Sequence, residues 1–213
     1  MGGRLVVGFD LDMTLVDSAV GIAATLVHAL SEQGIAIDPA AVWPLVGLPL
    51  QDILLALAPQ VDLPAAVGTY RASYPAIGAP AATALPGAAA AVAAAHARDG
   101  RVIVVSAKVE PAVRAVLRHT GFEVGDLAPH EVAGGLFAAA KAPRLRTAGA
   151  QVFVGDHPGD VEAARLVGAV AIGVATGPHG LAELRAAGAD VALPDLLGFP
   201  DWLDGWLTVA ASG

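Results

Sequence analysis

The run Leu5-Val6-Val7-Gly8-Phe9 is apolar throughout and leads straight into two carboxylates, Asp10 and Asp12. A strand without a polar face must be buried on both sides, as in a parallel sheet covered by helices above and below. In such sheets ligands gather beyond the carboxyl ends of the strands. The run therefore calls for a layered α/β chain, and it places the Asp pair at the edge where chemistry is done.

The remaining pattern supports this. Asp17 or Ser18 can cap a helix running to about Gln33, with Gly34 as its stop signal. From there to about Leu85 only helical patterns occur: Ala40 to Val46, Leu50 to Ala58 and Leu63 to Ser73, separated by Gly47, Pro49, Pro59 and Gly78-Ala79-Pro80. No strand signal is found in that stretch. Alternation follows, with strands at Arg101 to Val105, Glu131 to Ala133, Gln151 to Val154, Ala169 to Val174 and Val191 to Leu193. The helices between them cover Gly87 to Arg98, Pro111 to His119, Ala142 to Ala148, Pro158 to Leu166 and Leu181 to Ala186, and a helical segment around Leu196 to Leu207 closes the chain. This is a doubly wound parallel sheet interrupted by an all-helical insertion. The expected division is a core of residues 1–19 and 85–213 and a helical cap of residues 20–84.

Composition narrows the function. A net charge of -8, with 12 scattered Lys and Arg, argues against a nucleic-acid partner. No cysteine is present, so disulfides, thiolate nucleophiles and Cys-bound zinc are excluded. Met1-Gly2-Gly3-Arg4 has no signal-peptide character and no apolar stretch is long enough for a membrane span, so a soluble cytoplasmic protein without a membrane partner, monomeric or homodimeric, is expected. Trp43, Trp202 and Trp206 are expected to pack helices.

Other strands also end in reactive residues. Ser106-Ala107-Lys108 follows one, and Gly155-Asp156-His157-Pro158-Gly159-Asp160 follows another, while Lys141 precedes the helix Ala142 to Ala148. Parallel neighbours would bring Asp10, Asp12, Ser106, Asp156, Asp160 and a Lys to one edge. So many carboxylates cannot all ionise without a compensating cation. Hard oxygen ligands without His or Cys suit Mg²⁺, which shares its shell with water and phosphate. One Asp can then attack phosphorus, a second can move the proton, Ser106 can donate to a phosphoryl oxygen and a Lys can balance the growing charge. His157 and His179 stand near strand ends but read as ordinary loop histidines.

With these residues in order, the chain resembles the haloacid dehalogenase superfamily, in its phosphatase branch, and is similar in layout to phosphoglycolate phosphatases. The DxDxT motif is matched by Asp10, Asp12 and Thr14, the Ser/Thr motif by Ser106, the Lys motif by Lys141 and GDxxxD by Gly155, Asp156 and Asp160. The resemblance implies a Rossmann-like core with a cap, Asp10 as nucleophile and Asp12 as acid/base, supported by Thr14. It further implies Mg²⁺ held by Asp10, the backbone carbonyl of Asp12, and Asp156 and Asp160, and a small phosphomonoester as substrate. Ser106, Ala107 and Lys108, with Gly47 in the cap segment Val46-Gly47-Leu48-Pro49, are the implied substrate contacts. Two positions depart from the pattern: Met13 stands where Gly is frequent, and Lys141 lies only 15 residues before Asp156, so that Lys108 is a second candidate for the phosphate lysine. Rival readings are a dehalogenase, which would not need Asp12 or Asp156, a sugar phosphomutase, a phospho-acceptor receiver domain and a catalytically silent phosphate-binding module.

Overall fold

The computed structural model describes residues 4–211; the N-terminal reading of Met1 to Gly3 lies outside them. Six parallel strands form the sheet: β1 (Val6–Phe9), β4 (Arg101–Val105), β5 (Glu131–Ala133), β6 (Val152–Gly155), β7 (Val170–Val174) and β8 (Val191–Leu193). Their spatial order is β5-β4-β1-β6-β7-β8, with β1 between β4 and β6. This is the doubly wound order in which the chain builds outward from β1 on one side and then on the other. Its switch point falls between β1 and β6. All four residues of β1 are buried, as are those of β6.

Alternate residues feed two cores. Val7, Phe9, Val102, Val104, Val152 and Val154 face one side, where α4 (Ala88–His96), α5 (Glu110–His119) and α9 (Phe199–Ala211) contribute Ala91, Val116 and Phe199. Val6, Ile103, Val105 and Phe153 face the other, against Leu145 of α6 (Ala142–Ala148), Val161 of α7 (Pro158–Val167) and Leu184 of α8 (Leu181–Ala186). Period-two burial on both faces accounts for the unbroken apolar strands. The Ala-rich α4 is a packed helix, with Ala88, Ala91, Ala94 and Ala95 buried.

The insertion comprises α1 (Ala19–Ser31), a 3-10 stretch Pro39–Leu45, α2 (Leu50–Leu57) and α3 (Leu63–Ile77). Two sequence expectations change here. Pro39–Leu45 is 3-10 rather than an amphipathic α-helix, because Pro39 and Pro44 interrupt donors within it. The expected absence of strands fails as well: Val16–Asp17 (β2) pairs antiparallel with Thr83–Ala84 (β3), joining the two chain segments that enter and leave the insertion. Strands of two residues carry no readable alternation. Gly21 of α1 meets the end of α3 so closely that a Cβ would lie 2.2 Å from the Gly78 carbonyl oxygen. Trp202 and Trp206 stack in α9, whereas Trp43 is 45% exposed, contrary to expectation. No helix among the described residues is long and apolar enough to cross a membrane.

Candidate active site

β1, β4 and β6 are adjacent and parallel, so the residues following them converge on one edge. Asp10 continues the β1 ladder, its N–H donating to the Val154 carbonyl (2.8 Å). Asp156 follows β6, and Asp160 sits on the first turn of α7, where its carboxylate accepts from the His157 N–H (3.2 Å) while His157 Nδ1 accepts from the Gly159 N–H (2.9 Å). Gly155 cannot be replaced here, because a Cβ would stand 2.3 Å from the Asp160 carboxylate. Asp10, Asp156 and Asp160 are all buried and bring one oxygen each to within 4.8 Å of one another.

Lys141, at the end of a 3-10 turn (Ala138–Lys141), donates to Asp10 Oδ1 and Asp160 Oδ1, both at 2.6 Å. The short spacing to Asp156 therefore still delivers its ammonium to the carboxylates. Burial opposes its charge, but Asp10 and then Asp160 outweigh that and hold the ammonium protonated beyond its usual range. One cation does not neutralise three carboxylates. Burial, with smaller contributions from Asp160 and Asp12, pushes Asp10 up to about 7 against the pull of Lys141. Asp156 is also raised, by burial first and by its acidic neighbours Asp10 and Asp160. Thr14 donates to Asp156 Oδ1 (3.2 Å), but the buried Asp156 Oδ2 has no hydrogen-bond partner. An orphaned buried oxygen in a set of hard carboxylates fits a divalent cation of the Mg²⁺ type.

Asp12 stands apart from this triad. Its Oδ1 accepts from Ser18 Oγ (2.5 Å) and pairs with Lys108 Nζ at 3.1 Å. Glu110, two residues from Lys108 in sequence, pairs instead with Arg114. Its ammonium lies 4.4 Å above the ring of Tyr74, on α3, rather than in line with the Tyr74 hydroxyl, which is buried without a hydrogen-bond partner. Burial opposes the Lys108 charge, and Asp12, Tyr74 and Tyr70 outweigh it, so the group is held protonated beyond its usual range. Ser106 is buried, and its Oγ accepts from the Lys108 N–H (3.2 Å), leaving the hydroxyl proton for a ligand.

A cavity of about 370 Å³ opens beside Asp12, between the insertion and the core. Gly47, Ala107 and Lys108 line it, so these three expected substrate contacts do reach one space. Gly47 has φ +99, a conformation that favours glycine. Met13 takes the left-handed conformation (φ +58) that its frequent Gly counterpart would adopt freely, and the loop is retained by the Thr176 hydroxyl donating to the Met13 carbonyl. His157 and His179 lie edge to face, 4.7 Å between ring centres, beside rather than within the carboxylate cluster.

Sequence reasoning missed Ser18 and Tyr74. Ser18 reads as a helix cap, yet its side chain caps nothing; Asp17 instead accepts from the Ala19 N–H (3.1 Å), which frees Ser18 for Asp12. Tyr74 lies one residue past the expected helix Leu63 to Ser73, which runs on to Ile77, and nothing in that pattern hints at a buried lysine against its ring.

Residues 7–165 match the family model described as haloacid dehalogenase-like hydrolase. Among solved structures, the fold is similar to a predicted phosphatase from Clostridium acetobutylicum (TM-score 0.80, 23% identity, 94% of this chain and 98% of that one). It is similar also to a predicted phosphoglycolate phosphatase from Haemophilus somnus (TM-score 0.78, 21% identity, 94% and 98%). A third similar structure, from Deinococcus radiodurans, is a hydrolase of the same family with bound phosphate and sodium (TM-score 0.67, 23% identity, 98% and 96%). In sequence, 116 residues are 34% identical to the tyrosine-protein kinase PtkA of Mycobacterium tuberculosis, a match over 54% of this chain and 40% of that protein. The chain thus spans about two fifths of the length of the curated relatives it matches. With three quarters of its length on the family model and the same fold throughout, this chain belongs to the haloacid dehalogenase-like hydrolases.

Proposed function

We propose that this protein is a Mg²⁺-dependent phosphomonoester hydrolase that acts on a small phosphorylated metabolite through an aspartyl-phosphate. The observation that carries this reading is the buried meeting of Asp10, Asp156 and Asp160 around Lys141, with one carboxylate oxygen of Asp156 left unpaired. We further divide the chain into a core of residues 1–19 and 85–213 and a cap of residues 20–84.

Asp10, Asp156 and Asp160, with the Asp12 backbone carbonyl, would hold the cation. When bound, it supplies charge that neutralises the triad and polarises the phosphoryl group. The Asp10 carboxylate attacks phosphorus as the bond to the alcohol breaks, and Asp12 gives a proton to the departing alcohol oxygen. In the second half Asp12 takes a proton from water, which attacks the aspartyl-phosphate, releases phosphate and restores Asp10. Ser106 and Lys141 hold the phosphoryl oxygens, Thr14 orients Asp156, and Lys108 meets the substrate at the cavity. Phosphoglycolate is the first candidate, on the likeness in layout to phosphoglycolate phosphatases.

The test is phosphate release from a panel of phosphomonoesters, with and without Mg²⁺, by the wild type and by Asp10→Asn. Metal-dependent turnover that the substitution abolishes is expected; turnover unaffected by it would remove Asp10 as nucleophile. The identity to PtkA favours a second reading, phosphoryl transfer to a protein tyrosine. Incubation with a nucleoside triphosphate and a tyrosine-containing acceptor decides it, and absence of phosphotyrosine rejects it.

A further inference from the structure

The cavity beside Asp12 is walled mainly by carbon. Ile22, Leu48, Ile53 and Tyr74 form it from the insertion, and Val109 and Pro111 from the core. Asp12 stands in the same wall, so whatever fills the cavity lies where the departing alcohol would be protonated. At about 370 Å³ it falls within the range of sites that enclose whole organic ligands, well beyond the two carbons of glycolate.

Its charges point the same way. Lys108 is already paired with Asp12 and lies over the Tyr74 ring. Between residues 20 and 84 the chain has a single Lys or Arg, Arg71, which is exposed at the cavity and makes no ion pair among the described residues. Arg71 sits at the exposed side of the cavity, and a carboxylate placed away from it, among the apolar side chains, would be an unpaired buried charge, which is costly. An apolar body would instead gain free energy with each carbon removed from water.

We propose that the preferred substrate is the phosphomonoester of an apolar alcohol considerably larger than glycolate, seated between Leu48, Ile53 and Tyr74 on one side and Val109 and Pro111 on the other. This rests on the hydrolase reading above and names its leaving group. The experiment is a series of n-alkyl phosphates from ethyl to hexyl, with phosphoglycolate alongside and acetyl phosphate as a small activated phosphoryl donor, all with Mg²⁺. We expect kcat/KM to rise about 4-fold per methylene, roughly 200-fold across the series, chiefly through KM. In Leu48→Asp the ratio of hexyl to ethyl should fall at least about 10-fold, a comparison that does not depend on how much of the variant folds.

A flat series, or phosphoglycolate preferred over hexyl phosphate, would overturn the inference while acetyl phosphate turnover still supports the hydrolase. A preference for phosphoglycolate that vanishes in Arg71→Gln would do so too, and would assign the cavity to anions. No turnover even of acetyl phosphate would overturn it together with the reading on which it rests.

Discussion

Lys141 and Lys108 are both buried ammonium groups on buried carboxylates, yet their settings differ. Lys141 bridges Asp10, after β1, and Asp160, on the first turn of α7, and lies beside the Phe153 ring of β6, all outside the insertion. Lys108 holds Asp12 from a core loop, but its other neighbour is the Tyr74 ring, which belongs to the helical insertion. The first cation is part of an electrostatic assembly that is complete without the cap. The second couples the acid/base candidate to the part of the molecule that would cover a substrate. In the proposed mechanism, charge for the phosphoryl group and contact with the leaving group would thus be served by separate lysines.

The sharpest way to break that contrast is to remove each cation. Lys141→Met leaves Asp10 and Asp160 facing each other without compensation, a loss of about 3 to 5 kcal/mol for a broken buried pair. Its turnover should fall by about 10³-fold. Chemical denaturation in EDTA and in Mg²⁺ checks the first part, and the deficit should shrink in Mg²⁺, since the cation supplies the missing charge. Lys108→Met should cost about 10²-fold in kcat/KM, with KM for the ester moved more than in Lys141→Met. Identical kcat and KM profiles for the two variants would merge the two lysines into one role.

The acidity of the triad gives a third test. Asp10 is raised to about 7 and Asp156 is raised as well, so the folded metal-free protein binds protons that the unfolded chain releases near 4. The stability these two groups contribute is full below about pH 4 and is lost as pH rises from there through about 7. Mg²⁺ bound at the triad would displace those protons, and the gain in Tm from Mg²⁺ should then be larger at about pH 8 than at about pH 6. Equal gains would mean that the triad is not where the cation binds. Ser18→Ala is the smallest expected effect, about 10-fold in kcat from the loss of one hydrogen bond to a carboxylate, with a shifted pH profile and an unchanged Tm shift by Mg²⁺. A change in the Mg²⁺ response would place Ser18 with the wrong lysine.

Much of this was legible from residue pattern. The apolar β1 and the carboxylates after it follow from burial on both faces of a parallel sheet, and Ser106 and Asp156 reach the same edge because their strands are parallel neighbours of β1, while Lys141 and Asp160 come from the turn before α6 and the first turn of α7. What escaped depends on contacts between segments distant in sequence. Ser18 looks like a cap until Asp17 is seen to take the helix N–H, and the partner of Lys108 is 96 positions away at Asp12 rather than next to it at Glu110. Pairing of Val16–Asp17 with Thr83–Ala84 is too short to show in either segment. Met13 shows the converse, a side chain accepted at φ +58 because it is buried in the core while the turn keeps its hydrogen bonds.

The central claim is that Asp10 takes the phosphoryl group and Asp12 moves the proton. The most direct test is rapid quenching of Asp12→Asn after mixing with an aryl phosphate and Mg²⁺, followed by mass spectrometry of the peptide spanning residues 5–18. An aryl leaving group needs little protonation, so the variant should accumulate a phosphoryl adduct on Asp10 that turns over slowly. An adduct on any other residue would contradict the account, as would rapid turnover by Asp12→Asn with no adduct formed.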